Sequence, residues 1–580
     1  VRLALAIVSF VLSAAMLGLG IAQRTVLAGP DHITAAVSTT GTATVTVIDG
    51  TTLNSFERSQ TVRISGAESI FAAYGRTPDV LAWVGDTTSY NSLAYDPETQ
   101  QLVSTTVRGA ETEVPDPRGS DLWLQEYTDK NSLAFTVDVP EDISVVIVSD
   151  GIEPAPSQVS VKWLLDNSTP FAGPLVLGGA ILLLVGLGFL LWALNHMRRA
   201  RGPRRKQPKL PKVPKKPVYK PVRRGSAQPQ PIARGRRSAR MVVAPVSVVL
   251  GALLLGACTD ASGPAVNGSL TVAATAAPET DLELPAVTEA QAKRIIGRIA
   301  ATIAEADAGN DKDLAATRLD GPALALRTAN YAIRAVVSDH AAPPAIPATS
   351  VEIVLPQQND SWPRTVLAVV QDPDVTIAPQ TFVLIQDDPR SQYKVHYAVS
   401  LSPGTIFPKV PPASIGTSRT TADSKLFTAV PGQLAAAYGD TLMLDAASEF
   451  YELFETEGDG LRIAVGKADH DERISQLPST ATLSFSNAKG DGQTVVLVTV
   501  DGGAIVATEL TETETITPVE VGAAVNAPSD VAALLGKALS TRGITARYSD
   551  QLLFYVPPAT TGGPIVLLGY SQGLVSAVEL

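Results

Sequence analysis

Three short stretches of this 580-residue chain carry residue types whose spacing could do chemistry. Gly569-Tyr570-Ser571-Gln572-Gly573 fits G-x-S-x-G, the turn that presents a serine nucleophile. That use requires a helix after the serine, then an acid and a histidine further along. Only nine residues follow Ser571, with no His or Asp among them, so the stretch reads as a terminal strand. Asp469-His470-Asp471 has the D-x-D spacing with which many glycosyltransferases hold a metal and a nucleotide sugar. Its flanks read as a solvated loop, and no third or fourth ligand stands at a recognisable spacing. The five histidines (His32, His196, His340, His396, His470) are scattered with no i, i+4 pair, so neither a metal site nor a cofactor is expected.

The third stretch is Leu255-Gly256-Ala257-Cys258, which resembles the bacterial lipobox. Cys258 is the only cysteine, so no disulfide competes for its thiol. Arg234, Arg236, Arg237 and Arg240 form a basic flank, and Val242 to Leu254 form an apolar run too short for a comfortable span. The resemblance implies lipidation of Cys258 and cleavage between Ala257 and Cys258, with prolipoprotein-processing enzymes as partners. The competing reading is a third membrane helix that ends on a structural cysteine.

The segments around this signal set its context. Residues 1–24 are a first transmembrane helix or a signal, since Leu3 to Ala22 is apolar behind Arg2. Residues 171–196 contain an uncharged run from Pro174 to Asn195, long enough to cross a hydrocarbon core. Residues 197–240 hold 17 Lys/Arg and no Asp or Glu, and are rich in Pro. Such a run beside a membrane helix marks the cytoplasmic side and lies against anionic lipid. Elsewhere 29 of the 46 basic residues remain against 57 acidic ones, a formal charge of −28. That balance excludes nonspecific nucleic-acid binding by the remaining domains. Residues 241–257 form the internal signal, and residues 258–285 a lipidated cysteine with a small-residue tether. The expected location is the cytoplasmic membrane of a bacterium, with both large domains outside and the basic loop inside.

The large domains differ in pattern. Residues 25–170 show short alternating or β-branched runs split by Gly, Pro, Asn and Asp, among them VLAWVG, and predict an all-β sandwich. Within Phe71 to Asp86, the side chains of Tyr74, Arg76, Trp83 and Asp86 could line a binding surface. The plainer alternative is that Trp83 and Phe71 are core and Arg76 pairs with a local carboxylate. Residues 286–580 predict an α+β domain. Thr288 and Gln291 fit a capping box, Ile295, Ile296, Ile299 and Ile303 share a face, and Pro322 opens a second helix. Helix followed by antiparallel strands recurs over about 286–415 and 420–580, with a later helix expected over 531–539. That order predicts tandem NTF2-like or cystatin-like modules.

Leu17 to Val26, Phe71 to Asp86 and Leu567 to Leu580 are similar to an actinobacterial family of cell-envelope membrane proteins. Its members pair a β ectodomain with a C-terminal domain of unknown function. The resemblance implies no catalytic residues. The expected role is non-enzymatic: a scaffold, or a factor that binds membrane lipid, glycolipid or an envelope-assembly protein. The rival is an extracytoplasmic glycosyltransferase or hydrolase that uses a lipid-linked donor. Carboxylates gathered in a cleft of the C-terminal domain would favour the enzyme, and an apolar pocket the binder.

Overall fold

The computed structural model describes residues 2–165, 169–200, 284–374 and 376–580. The basic loop, the lipobox with Cys258 and most of the tether lie outside the described residues. In chain order come α1 (Arg2–Arg24), a β domain, α4 (Ala172–Ala200) and a C-terminal α+β domain. The β domain holds β1 (His32–Ser38), β2 (Val45–Ile48), α2 (Gly50–Leu53), β3 (Gln60–Arg76), α3 (Thr77–Val84), β4 (Tyr90–Asp96), β5 (Gln101–Val107), β6 (Gln125–Val137), β7 (Ile143–Val148) and β8 (Gln158–Leu164).

The helices α1 and α4 form one compact unit; the β domain and the C-terminal domain form another. Both helices are long and apolar enough to cross a membrane. They run antiparallel: Gly20 faces Val176 and Ala172, while Gly186 faces Phe10. Small residues allow close approach, and a Cβ on Gly179 would sit 2.7 Å from Leu17. There the buried Ser13 hydroxyl donates to the Gly179 carbonyl at 2.7 Å.

All eight strands of the β domain belong to one hydrogen-bonded sheet, in the order β1-β8-β3-β7-β2-β4-β5, with β6 on β3. This corrects the expectation of two separate sheets packed face to face. The long β3 bends at a bulge between Ser65 and Ser69, where Gly66 takes a positive φ of 92°. Before the bend β3 pairs with β8, after it with β7. The sheet therefore folds over on itself around Val62, Ile64, Ile70, Phe135, Ile147 and Trp163. A second apolar layer, with Phe71, Trp83, Trp123 and Val146, covers the outer face. Thr77–Val84, read above as strand, is the helix α3. Pro78 sits in its first turn, and Val80, Trp83 and Val84 share the i, i+3, i+4 face that it buries.

The C-terminal domain begins with α5 (Glu289–Gly309), α6 (Lys312–Ala316) and α7 (Gly321–Arg334). The Thr288–Gln291 capping box is present in full, and Asn310 ends α5 in the left-handed conformation. The strands β9 (Val351–Pro356), β10 (Arg364–Val370), β11 (Gln380–Gln386) and β12 (Lys394–Leu401) follow. Next come β13 (Arg419–Thr420), α8 (Leu434–Leu444), α9 (Gly460–Val465), α10 (Lys467–Ser475), β14 (Ala481–Lys489), β15 (Val495–Val498) and β16 (Ala504–Pro518). A small ribbon of β17 (Val525–Asn526) and β18 (Leu539–Ser540) flanks α11 (Ser529–Leu535), and β19 (Ile544–Val556) and β20 (Val566–Glu579) finish the chain. The helix expected over 531–539 thus starts earlier and stops sooner, because Gly536 takes a left-handed φ of 77°.

Helices then antiparallel strands do occur twice, but the strands make one ten-stranded sheet. Its two parts join where β12 meets β20, at Ser400–Tyr570 and Leu401–Gly569. One face is covered by α5 in the first part and by α8 in the second. The opposite face curls around a core shared by both parts, with Leu355, Leu367, Tyr397, Leu497 and Leu553.

Candidate functional site: an arginine interface and a helix-roofed cleft

The β domain meets the C-terminal domain through opposite charges. Asp79, buried at the start of α3, accepts from Arg76 at 2.9 Å and from Arg364 on β10 at 2.7 Å. Arg364 is itself fully buried, and its guanidinium lies 3.8 Å over the Trp362 ring. Trp362 packs on the outer apolar layer of the β domain. Asp121, also fully buried, accepts from Arg318 at 2.6 Å and from the Tyr393 amide at 2.9 Å. Burial pushes the Tyr393 phenol well above its ordinary pKa. Arg390 donates to the carbonyls of Trp83 (2.9 Å) and Val84 (2.7 Å), and Arg298 to that of Gly119 (2.9 Å). Arg294 donates to the Trp123 carbonyl, and burial lowers its pKa from the usual arginine value.

This interface accounts for most of the Phe71 to Asp86 motif. Trp83 is core, and its carbonyl faces Arg390. Arg76 pairs with the local Asp79 and reaches Asp360 of the C-terminal domain at 3.2 Å. Tyr74 donates to Gln125 at 3.0 Å, and Asp86 is exposed. The four do not converge on one open pocket.

The second feature is a cleft of about 390 Å3 under α7, against β12, β19 and β20. Leu319, Ala323, Leu326, Ile346 and Ala398 supply apolar wall, and Ser400, Gln551, Tyr570, Ser571 and Gln572 polar floor. A second cleft of about 390 Å3 shares Leu326 and Gln572 and extends to Tyr548 and Asp530. Burial, aided by Glu514, pushes the Tyr548 phenol up to about 12.

The serine-elbow stretch lines this cleft, yet it lies inside β20. The Ser571 hydroxyl accepts from the Ser400 amide at 3.2 Å. Its glycines have a packing reason. A Cβ on Gly569 would stand 2.3 Å from the Ser400 carbonyl, and one on Gly573 would stand 2.5 Å from Leu326. Close approach of strand and helix explains the pattern without a nucleophile.

Beside the cleft lies a buried acidic group. The Gln572 amide donates to Glu512 at 3.1 Å and stands near enough to Asp550 to offset part of the rise in its pKa. Asp550 is fully buried, and neither of its oxygens has a hydrogen bond. Burial above all, then Glu512, raises its pKa well above the carboxylate range. His470 stands 3.8 Å from Glu512, stacked at 3.9 Å on Phe485, with no hydrogen bond to either ring nitrogen. Asp469-His470-Asp471 is thus not a solvated loop but part of α10. Two residues apart on a helix point to nearly opposite sides, so Asp469 turns to Arg473 and Asp471 to Lys467 while His470 faces inward. Among the described residues, no three His, Cys, Asp or Glu gather as metal ligands.

His396 keeps one tautomer, as its Nδ1 lies 2.9 Å from Asp320 and its Nε2 accepts from the Gln493 amide at 3.2 Å. This bond sits at the N-terminal end of α7 and holds the roof of the cleft to β12.

Residues 283–579, which carry the cleft, the acidic group and the arginine side of the interface, match the model of a family described as domain of unknown function (DUF8094). The chain belongs to that family. No curated protein and no solved structure matches it. The DUF8094 domain therefore includes both parts of the ten-stranded sheet.

Proposed function

We propose that this chain is a membrane-anchored, non-enzymatic envelope protein whose C-terminal domain binds an amphiphile, a lipid or glycolipid, in the cleft under α7. The cleft carries the reading. It falls in the size range of small-molecule sites, with apolar walls and a few convergent polar groups that can orient a head group. Asp550 and Glu512 do not line it. The test uses the full chain in mild detergent and the fluorescent fatty acid cis-parinaric acid. Saturable binding is expected, and Ala398→Trp, which fills the cleft, should abolish it. Equal binding by wild type and variant would contradict the reading.

The packing of the two domains supports a membrane arrangement for this reading. The β domain and the C-terminal domain fall in one compact unit, which supports placing both on one side of the membrane. If α1 and α4 both cross, the chain leaves that side at the end of α4 and must return before residue 284. The apolar run Val242 to Leu254 is the segment suited to that return. A lipobox at its end would let the C-terminal part, residues 258–580, stay on a lipid anchor after the cut, since two acyl chains suffice for stable anchoring. Cys258→Ala should leave one band near 60.6 kDa. Wild type should give two fragments, the C-terminal one labelled by fatty acid. A single unlabelled wild-type band would overturn the processing step alone.

A hydrolase or glycosyltransferase remains the second reading, favoured by one observation. Asp550, whose pKa burial raises, lies beside Glu512, and two carboxyl groups side by side are the pairing that such chemistry uses. Turnover of a lipid-linked glycoside that is lost in Asp550→Asn and Glu512→Gln would favour it.

A further inference from the structure

We infer that the two halves of the chain form a binding pair that holds without the covalent link between them: the β domain is the receptor for the DUF8094 domain. Its biological use rests on the processing proposed above, but the binding itself does not. Most of the charge runs one way, with Arg76 to Asp360 as a reverse contact. The C-terminal half brings Arg318, Arg364 and Arg390, and the β domain meets them with Asp79, Asp121 and main-chain carbonyls. Opposite charge on two faces steers encounter and fixes register. Trp362 adds an aromatic anchor on the layer formed by Trp83 and Trp123. A half-buried tryptophan beside a buried arginine that is paired with a carboxylate is the composition of an interface hot spot. None of these contacts involves residues between 166 and 283. A cut in the tether leaves these contacts in place. After processing, the C-terminal product would thus be held at the membrane twice, by its lipid and by the β domain.

The experiment uses membranes that contain the full chain, with a site-specific protease sequence inserted after Ser269. Cutting there frees the C-terminal domain from α1, α4 and any lipid on Cys258, whether or not natural processing occurs. The freed domain should stay with the washed membrane pellet. In Asp79→Asn/Asp121→Asn it should move to the supernatant, since loss of a buried charge partner weakens binding roughly thirty-fold or more. Trp362→Ala should release it in part, as a second variant in case the first misfolds. Before cutting, each variant must resist general proteolysis as wild type does, which separates lost binding from lost folding. Release of the wild-type domain would overturn the inference. So would retention of both variants at the wild-type level.

Discussion

Two groups of buried charge in the same body are built in opposite ways. At the domain interface, Asp79 and Asp121 each face an arginine at hydrogen-bond distance, with Arg76 and the Tyr393 amide as further donors, while Asp121 Oδ1 and Arg364 Nε and Nη1 have no hydrogen bond. In the C-terminal domain, Asp550 on β19 has no well-formed hydrogen bond and His470 on α10 has only a distant carboxylate. A matched pair holds two surfaces in one geometry, and removal of one member strands the other. An unmatched carboxyl resolves its burial by holding its proton. The first group is therefore a joint, and Asp550 in the second is a carboxyl whose pKa burial raises.

The sharpest way to break the comparison is at the joint. Asp121→Asn leaves Arg318 and Arg298 without their carboxylate and should cost about 3–5 kcal/mol. Denaturant unfolding read by tryptophan fluorescence checks this, since Trp83 and Trp123 lie at the interface. A loss under about 1 kcal/mol would reduce the pair to the worth of a surface ion pair. Gly569→Ala should follow, at about 1–3 kcal/mol, because its Cβ would drive into the Ser400 carbonyl where the two parts of the sheet join.

Asp550 should behave with the opposite sign. Its folded pKa is raised, so the folded state keeps a proton that the unfolded state releases near 3.8. Its contribution is most favourable below that value, worsens as pH rises toward the raised folded pKa, and is constant above it. Asp550→Asn should remove this slope and stabilise the protein at neutral pH by on the order of 1–3 kcal/mol, because the amide has no proton to retain while the unfolded carboxyl ionises. Parallel stability–pH curves for wild type and variant would contradict this. The smallest effect is expected for Ser571→Ala, under about 1 kcal/mol, because only the Ser400 amide depends on the hydroxyl. Loss of a hydrolytic activity in that variant would revive the nucleophile.

Local signals in the sequence were good guides. The Thr288 capping box, the isoleucine face of α5 and Pro322 in the first turn of α7 all depend on residues a few positions apart. The short run that became α3 misled, because six apolar-rich residues fit a strand period as well as a helical face. The D-x-D triplet misled likewise, since only packing against Phe485 shows that His470 faces inward. The joint was beyond reading: Arg318 and Asp121 lie 197 residues apart, Arg364 and Asp79 lie 285 apart. Arg76 looked locally paired, and it is, but its second partner comes from the other domain. The cleft was equally hidden, as its lining comes from α7, β12, β19 and β20 together.

The most direct measurement asks whether the two domains share a side of the membrane. Single cysteines at Ser104 in the β domain, Ser486 in the C-terminal domain and Ser226 in the basic loop are treated with an impermeant thiol reagent on intact cells. Unsubstituted cells control for Cys258. Ser104→Cys and Ser486→Cys are expected to label from outside, and Ser226→Cys only after the cells are opened. Labelling of Ser104→Cys and Ser486→Cys from opposite sides would contradict a single body built across the joint.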